Sequence, residues 1–413
     1  MPQILSVGWL YLFIAVMIIS VVRIFFKLRT IQNEAPMDRP VIKIEPMPAR
    51  NKEQGDLSEG DPLLAASDDL VRQGRYSEAL RSLEQMVENL SPTENRETMG
   101  KVLFRIGACH SRLATRGDKI QHLLKAGEAL REAVRLFAPA RYRVHYLRAL
   151  GELAGLYEDL ARQKNPVEYL TQSARTCETG AEAASQGGLD LPQAMFLARS
   201  GSAYRKLATY GEAQQNLRKA ADAFKKAAAA LEDVEEEAAL RERINILKVL
   251  GDTCVELAAY FQRADSLAWA VRSYESVLAL MGEGQYPRER GVVLTEAGRI
   301  LLEIYDSEKS PAHLRQALRY LRDALQAAGG EEDPIRKGMA MAVMGDALSR
   351  YADQKDRREN LHRAVKLYES ALGIFKDGVQ AEERERVRAA LAETVQKIAG
   401  VGEGESGREG EGT

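Results

Sequence analysis

A short pattern returns six times along this chain. A glycine or alanine is followed six residues later by a large residue, and ten residues after that a second signature begins, Leu-x-x-Ala-x-x-x-(aromatic or Leu)-x-x-Ala. The small positions are Gly107, Ala154, Gly201, Gly251, Gly298 and Gly345; the large ones are Leu113, Leu160, Leu207, Leu257, Ile304 and Tyr351, spaced by 47, 47, 50, 47 and 47 residues. The second signature is clearest as Leu361, Ala364, Tyr368, Ala371 and as Leu217, Ala220, Phe224, Ala227. It slackens at Leu170, Ser173, Cys177, Gly180 and at Leu267, Ala270, Tyr274, Val277. An earlier unit places Tyr76, Ala79, Leu83 and Met86 at the same offsets. A repeat of this length is one supersecondary unit that cannot bury its apolar face alone, so the chain is constrained to a stack of such units.

Within each unit, the spacings of three, four and seven put each signature on one face of a helix. Small residues on both helices let two axes approach to ~8–10 Å, and the large residues fill the space around that contact. The composition agrees: aromatics are 6% of the residues, while Ala, Leu, Glu and Arg recur, a usage that favours helix over strand. Asn165-Pro166 and Ser310-Pro311 are expected to open second helices, and Asp333-Pro334 a first helix, each as an N-cap residue followed by Pro at N1. The glycine pairs at 187–188 and 329–330 mark turns between units.

The same register decides how the stretch LGDTCVELA, at 250–258, is read. Gly, Asp, Cys and Glu in close succession suggest a reactive or metal-binding site. In the repeat, however, Gly251 is a close-packing position, Cys254 and Leu257 lie near the buried face, and Glu256 faces water. Cys177 occupies the aromatic slot of its unit, so it is a core filler. The three cysteines (Cys109, Cys177, Cys254) are far apart, odd in number and without a C-x-x-C pair, which argues for free thiols in a reducing compartment. The five histidines form no H-x-x-x-H pair, and Cys109-His110 are helix neighbours that point about 100° apart, so no metal site is expected. No Gly-rich phosphate loop, Ser/His/Asp arrangement or H-E-x-x-H motif occurs, and no sizeable non-repeat domain remains. The expectation is no enzyme, no catalytic residues and no cofactor. A net charge of −2 gives no reason to expect nucleic acid.

Outside the repeats, the ends of the chain differ in character. Ile4 to Val22 contain no charge, and about 20 apolar residues span a bilayer. Trp9 and Tyr11 sit where interfacial rings are favoured. A cleaved signal peptide fits less well: there is no basic n-region, the apolar run is long, and no A-x-A-like site follows. Basic residues (Arg23, Lys27, Arg29, Arg39, Lys43) all follow the span, which places the N-terminus outside and the rest in the cytosol. The expected organisation is a transmembrane anchor over 1–26, a disordered Pro-rich and charged tether over 27–61, a solenoid of seven helix pairs plus a capping helix over 62–399, and a disordered Gly/Glu-rich tail over 400–413.

Helix pairs carrying Gly, Tyr and Ala in this order resemble the tetratricopeptide repeat (TPR) family. Gly74, Tyr76 and Ala79 fit the family's G-x-Y-x-x-A turn, and MGDALSRYADQKDRRENLHRAVKLYESAL (344–372) looks like the lengthened repeats of some large bacterial signalling proteins. The resemblance covers about residues 62–399. It implies an all-α, right-handed superhelical solenoid whose first helices line a concave face, and a protein or peptide partner held there. The family's positions carry over onto Lys101, Phe104, Arg148, Arg205, Asn245, Lys248, Asp252 and Arg299, with Ser111, Glu158 and Asp346 at equivalent offsets. Their mixed but cationic character suits an acidic or amphipathic segment. A carboxylate clamp of the chaperone-binding kind is not expected, because Lys248 is followed by Asp252 where Asn is wanted, and the preceding repeat offers Ala198 and Ser202. The expected function is a membrane-anchored scaffold or adaptor; the layout fits a bacterial inner membrane or an outer-mitochondrial receptor, and the lengthened repeats favour the bacterial one. The alternative is a self-associating structural scaffold, a homo-oligomer.

Overall fold

Helix follows helix without a strand through every residue described by the computed structural model: 62–91, 95–115, 117–282, 286–327, 333–375 and 381–406. These lie in the larger of two compact units of the chain, residues 46–413. The smaller unit, residues 1–45, lies wholly outside the described residues. So do the expected anchor and tether and the last residues of the expected tail. Among the described residues no helix is long and apolar enough to cross a membrane.

Seven helical hairpins run in series. They are α1 (Pro62–Arg72) with α2 (Tyr76–Asn89), α3 (Arg96–Leu113) with α4 (Lys119–Leu136), α5 (Arg143–Ala161) with α6 (Pro166–Ser185), and α7 (Asp190–Leu207) with α8 (Ala213–Ala230). Then come α9 (Glu237–Leu257) with α10 (Arg263–Met281), α11 (Pro287–Glu308) with α12 (Pro311–Ala327), and α13 (Pro334–Tyr351) with α14 (Arg357–Ile374). A last helix, α15 (Ala381–Ser406), packs on α14 and buries Val387 and Thr394. It extends past residue 399, where the sequence pattern places its end. Each helix packs on the one before and the one after it. The only substantial second-neighbour contacts among the described residues join odd-numbered helices, α3 to α5, α7 to α9, α11 to α13 and α13 to α15. We call the row of odd helices the inner row and the row of even helices the outer row.

The repeat register is a register of volume. A Cβ built on Gly251 would stand 2.8 Å from the Tyr274 ring, one on Gly345 2.6 Å from Tyr368, and one on Gly298 2.8 Å from Leu321. Gly107 faces Leu130 at 2.7 Å in the same way, and Gly201 faces Phe224 at 3.0 Å. Each glycine thus takes the large residue of its own hairpin's second helix directly against its backbone. The deviant unit obeys the same rule from the other side: Ala154 has a Cβ, its counterpart is the small Cys177, and both are fully buried in one cluster. Ser173, standing in for the usual alanine, donates its hydroxyl to the Ala154 carbonyl at 3.1 Å, so the buried polar group is satisfied. A second volume match lies two turns away. Gly100 faces Phe137, and Gly338 faces Phe375, at 2.7 and 2.9 Å from the imagined Cβ.

The turns inside the hairpins repeat as well. Asn165, Glu212, Gln262, Lys309 and Asp356 all adopt a left-handed backbone, with φ between 34° and 55°. A left-handed L-residue costs about 1–2 kcal/mol, and at three of these five turns a side chain just inside the helix holds it. Asn216 Nδ2 donates to the Gly211 carbonyl at 3.0 Å, Asn360 Nδ2 to that of Lys355 at 2.8 Å, and Ser266 Oγ to that of Phe261 at 2.9 Å. Asn165 is consequently no side-chain cap: its amide donates to Glu168 instead. Asp333 does cap α13, its carboxylate accepting from the Arg336 N–H at 3.2 Å.

Candidate binding surface

The inner row is where the residues singled out from the sequence fall, and most of their charges are already engaged. Asp68 of α1 binds the Arg105 guanidinium of α3 through both oxygens, at 2.6 and 2.7 Å. Glu158 of α5 holds Arg199 and Lys206 of α7 at 2.7 and 3.0 Å. Arg205 of α7 makes a fork to Glu256 of α9 at 2.6 and 3.0 Å. Asp306 of α11 takes Arg350 of α13 at 2.7 Å, and Asp346 of α13 takes Arg386 of α15 at the same distance. Between α3 and α5 the link is the Arg148 guanidinium over the Phe104 ring, 5.9 Å from its centroid. Ion pairs thus form a ladder that joins α1 to α3, α5 to α7, α7 to α9, α11 to α13 and α13 to α15.

Burial pushes the Glu158 carboxyl towards protonation, but Arg199 and Lys206 together hold it below its ordinary range. Asp252 goes the other way. Burial raises it, against the Tyr274 hydroxyl that donates to it at 2.5 Å. Glu256, expected to face water, is instead the acceptor for Arg205. A sequence gives the residue but not its partner, which here stands in the next repeat.

Of the sequence candidates, then, Arg205 and Asp252 serve the fold's own bonding, and Phe104 is buried under Arg148. Lys101 pairs with Glu97 at 2.7 Å, and Arg299 with Glu296, each within its own helix. Asn245 is exposed beside Glu242, and Lys248, partly buried, has no ion-pair partner among the described residues. Asn245, Lys248 and Asp252 share α9, whereas Lys101 and Phe104 lie three inner helices earlier, so no single cluster unites the set.

What the row does offer is an apolar pocket of about 230 Å³ between α11 and α13. Val292, Thr295 and Gly291 line it from α11, Met339 and Ala340 from α13, and Ala324 and Ala327 of α12 close its back, while Arg288, Glu296, Asp333 and Arg336 also border it. Met339 is 39% exposed, and Ile335, one turn before it, 38%. A space of this size takes one large apolar side chain. Val292 and Met339 occupy the same offset, six before the repeat glycine, that is Lys101, Arg148 and Asn245 in earlier units. The register points to them; a reading weighted to charge passes them over. Among the described residues no group of three or more His, Cys, Asp or Glu could hold a metal ion. The thiols of Cys109, Cys177 and Cys254 are buried, which pushes them up to about 11, 12 and 11, so none is a ready nucleophile.

No protein-family model matches this chain, and no curated protein matches it. Among solved structures, the chain is similar to the C-terminal part of a TPR repeat-containing protein from Cytophaga hutchinsonii, at 10% identity over 78% of this chain and 98% of that one, with a TM-score of 0.45. It is also similar to the S. pombe nuclear import adaptor Nro1, at 13% identity over 74% and 100% of the two chains and a TM-score of 0.40. For the apo form of RapI the values are 13%, 76%, 96% and 0.34. At these scores the likeness carries no argument about activity or partners.

Proposed function

We propose that this chain is a protein-interaction scaffold that receives a segment of a partner protein along its inner row, with a large apolar side chain of the partner seated between Val292 and Met339. One observation carries the reading: in a row whose charges are largely consumed by its own ladder, the apolar pocket between α11 and α13 stays open, with Met339 standing in it partly exposed. Buried apolar anchors supply most of the affinity at such sites. Lys248 and Arg148, outside the ion-pair ladder, give the same face cationic points that favour an acidic or amphipathic segment.

The apolar segment Ile4 to Val22 serves in this reading as a membrane anchor, and the basic residues after it put the helical stack on the cytosolic side. What supports this is the uncharged span, its interfacial Trp9 and Tyr11, and the one-sided distribution of Arg and Lys.

The test is affinity purification of the full-length, detergent-extracted protein from its own cells, beside variants Met339→Glu and Lys248→Glu. Both sites lie outside the ladder, so the fold should survive. A partner that is retained by the native protein and lost from both variants supports the reading. A partner retained equally by all three, or a protein found only with copies of itself, refutes it.

A further inference from the structure

The outer row carries a second surface of different construction. Between α12 and α14 runs a groove of about 990 Å³ with parts of α13 at its floor. Arg315, Arg319 and Arg322 of α12 form one rim, Arg363 and Lys366 of α14 the other, and no carboxylate stands among the described residues that line it. Leu318, Leu367, Met344 and Leu348 form the apolar floor. On the inner row, cations are mostly matched with acids across the layers. Here Arg315, Arg319, Arg322 and Lys366 are exposed and have no ion-pair partner among the described residues, and Arg363 has only Glu359 at 3.7 Å.

The rim has helical spacing. Arg315, Arg319 and Arg322 stand at i, i+4 and i+7, covering about 10 Å of axis at 1.5 Å per residue, and Arg363 and Lys366 stand at i and i+3. The two rims stand on either side of α13, whose Met344 and Leu348 lie between them. A flat lipid surface would reach such rims but leave the floor wet. A helix lying between α12 and α14 would cover the floor with one apolar stripe and face both rims with its flanks.

We infer that the α12–α14 groove is a second docking site, which takes an acidic amphipathic helix of a partner protein. It is independent of the inner-row reading. Its apolar stripe would lie on Leu318, Met344 and Leu367, and its carboxylates, at i, i+4 and i+7, would meet the three arginines of α12. Electrostatic complementarity of this kind sets the choice of partner and the association rate more than the final affinity.

The probe is a stapled, fluorescein-labelled helical peptide with leucines on one face and glutamates on both flanks. Its controls are a scrambled peptide of the same composition and a version with Lys in place of Glu. Fluorescence anisotropy is read with the full-length protein in neutral detergent. The acidic peptide should bind, the lysine version should not, and binding should weaken as salt rises. The triple variant Arg319→Glu, Arg322→Glu, Lys366→Glu should weaken it about tenfold or more, since removing one exposed ion pair changes binding by a factor of a few. The milder triple Gln variant should fall between, with circular dichroism unchanged, and Met339→Glu should bind as the native protein does. Equal binding of the scrambled peptide, or unchanged binding by the triple Glu variant, overturns the inference. So does capture of phosphatidylglycerol vesicles, through the same residues, by a protein that ignores the peptide. If the peptide binds only after removal of residues 401–413, the groove belongs to the chain's own acidic end and the partner assignment is wrong.

Discussion

Replacing Gly251 with alanine tests the volume register directly. In an exposed helix interior this change stabilises by about 1 kcal/mol, because glycine loses more backbone freedom on folding. Here the new Cβ would lie 2.8 Å from Tyr274 Cε1 and 2.9 Å from Cζ. The ring is 2% exposed, and its hydroxyl is tied to Asp252, so it cannot swing aside without leaving a buried carboxylate short of its donor. Overpacking of this kind costs about 1–3 kcal/mol, and the strained hydrogen bond adds to it. The net expectation is a loss of about 1–2 kcal/mol, opposite in sign to the propensity effect. Gly373→Ala supplies the control: nothing lies within 4 Å of its imagined Cβ, so it should gain about 0.5 kcal/mol. The deviant unit supplies the mirror image. Cys177→Leu should destabilise beside Ala154, and adding Ala154→Gly should recover much of the loss, which a double-mutant cycle reads as coupling. Stability in a repeat stack is local and summed over neighbours, so the readout is native-state amide exchange in α9 and α10 together with urea unfolding. If Gly251→Ala protects those amides as Gly373→Ala protects its own, the close-packing argument fails.

The remaining predictions concern charge and chemistry. Arg105 is 6% exposed and depends on Asp68; Asp68→Asn should cost about 3–5 kcal/mol by stranding it, measured as reduced exchange protection in α1 and α3. His110 is held down to about 4 by burial first, then by His122, 3.0 Å away, and Lys125. Its folded value is depressed, so the unfolded chain takes up the proton first. Its contribution is whole above about pH 6.5 and is lost as pH falls towards 4; the melting temperature of His110→Gln should therefore decline less than the native protein's between about pH 7 and 5. The three buried thiols should react with a disulfide reagent only after unfolding, all at the rate at which their hairpins open; fast labelling of any one in native buffer would contradict its placement.

The fold was largely legible in the sequence because the repeat glycines and their large partners lie at fixed offsets within one hairpin, and volume is a property of single residues. The size exchange at Ala154 and Cys177 shows why the one irregular unit still packs. The ladder was not legible. Arg205 finds Glu256 fifty-one residues on, and a charge that looks available in a single repeat is spent on the next. The left-handed turn at Asn165 was hidden for a related reason. Asn before Pro is a usual helix opening, and only the recurrence of the conformation at Glu212, Gln262, Lys309 and Asp356 reveals a turn set by the repeat rather than by the residue. The inner pocket was within reach, since Val292 and Met339 sit at an offset already singled out, but apolar residues in a binding register read as core until their exposure is seen.

The most direct test of the scaffold reading is photo-crosslinking in intact cells from a benzophenone amino acid placed at position 339, with position 248 as a second inner-row site and position 222, exposed on outer helix α8, as the control. The account predicts one discrete adduct to another protein from 339 and 248, none from 222, and loss of the 339 adduct when Val292→Glu is added. Adducts of equal yield from all three positions, or none from 339 and 248, would contradict it.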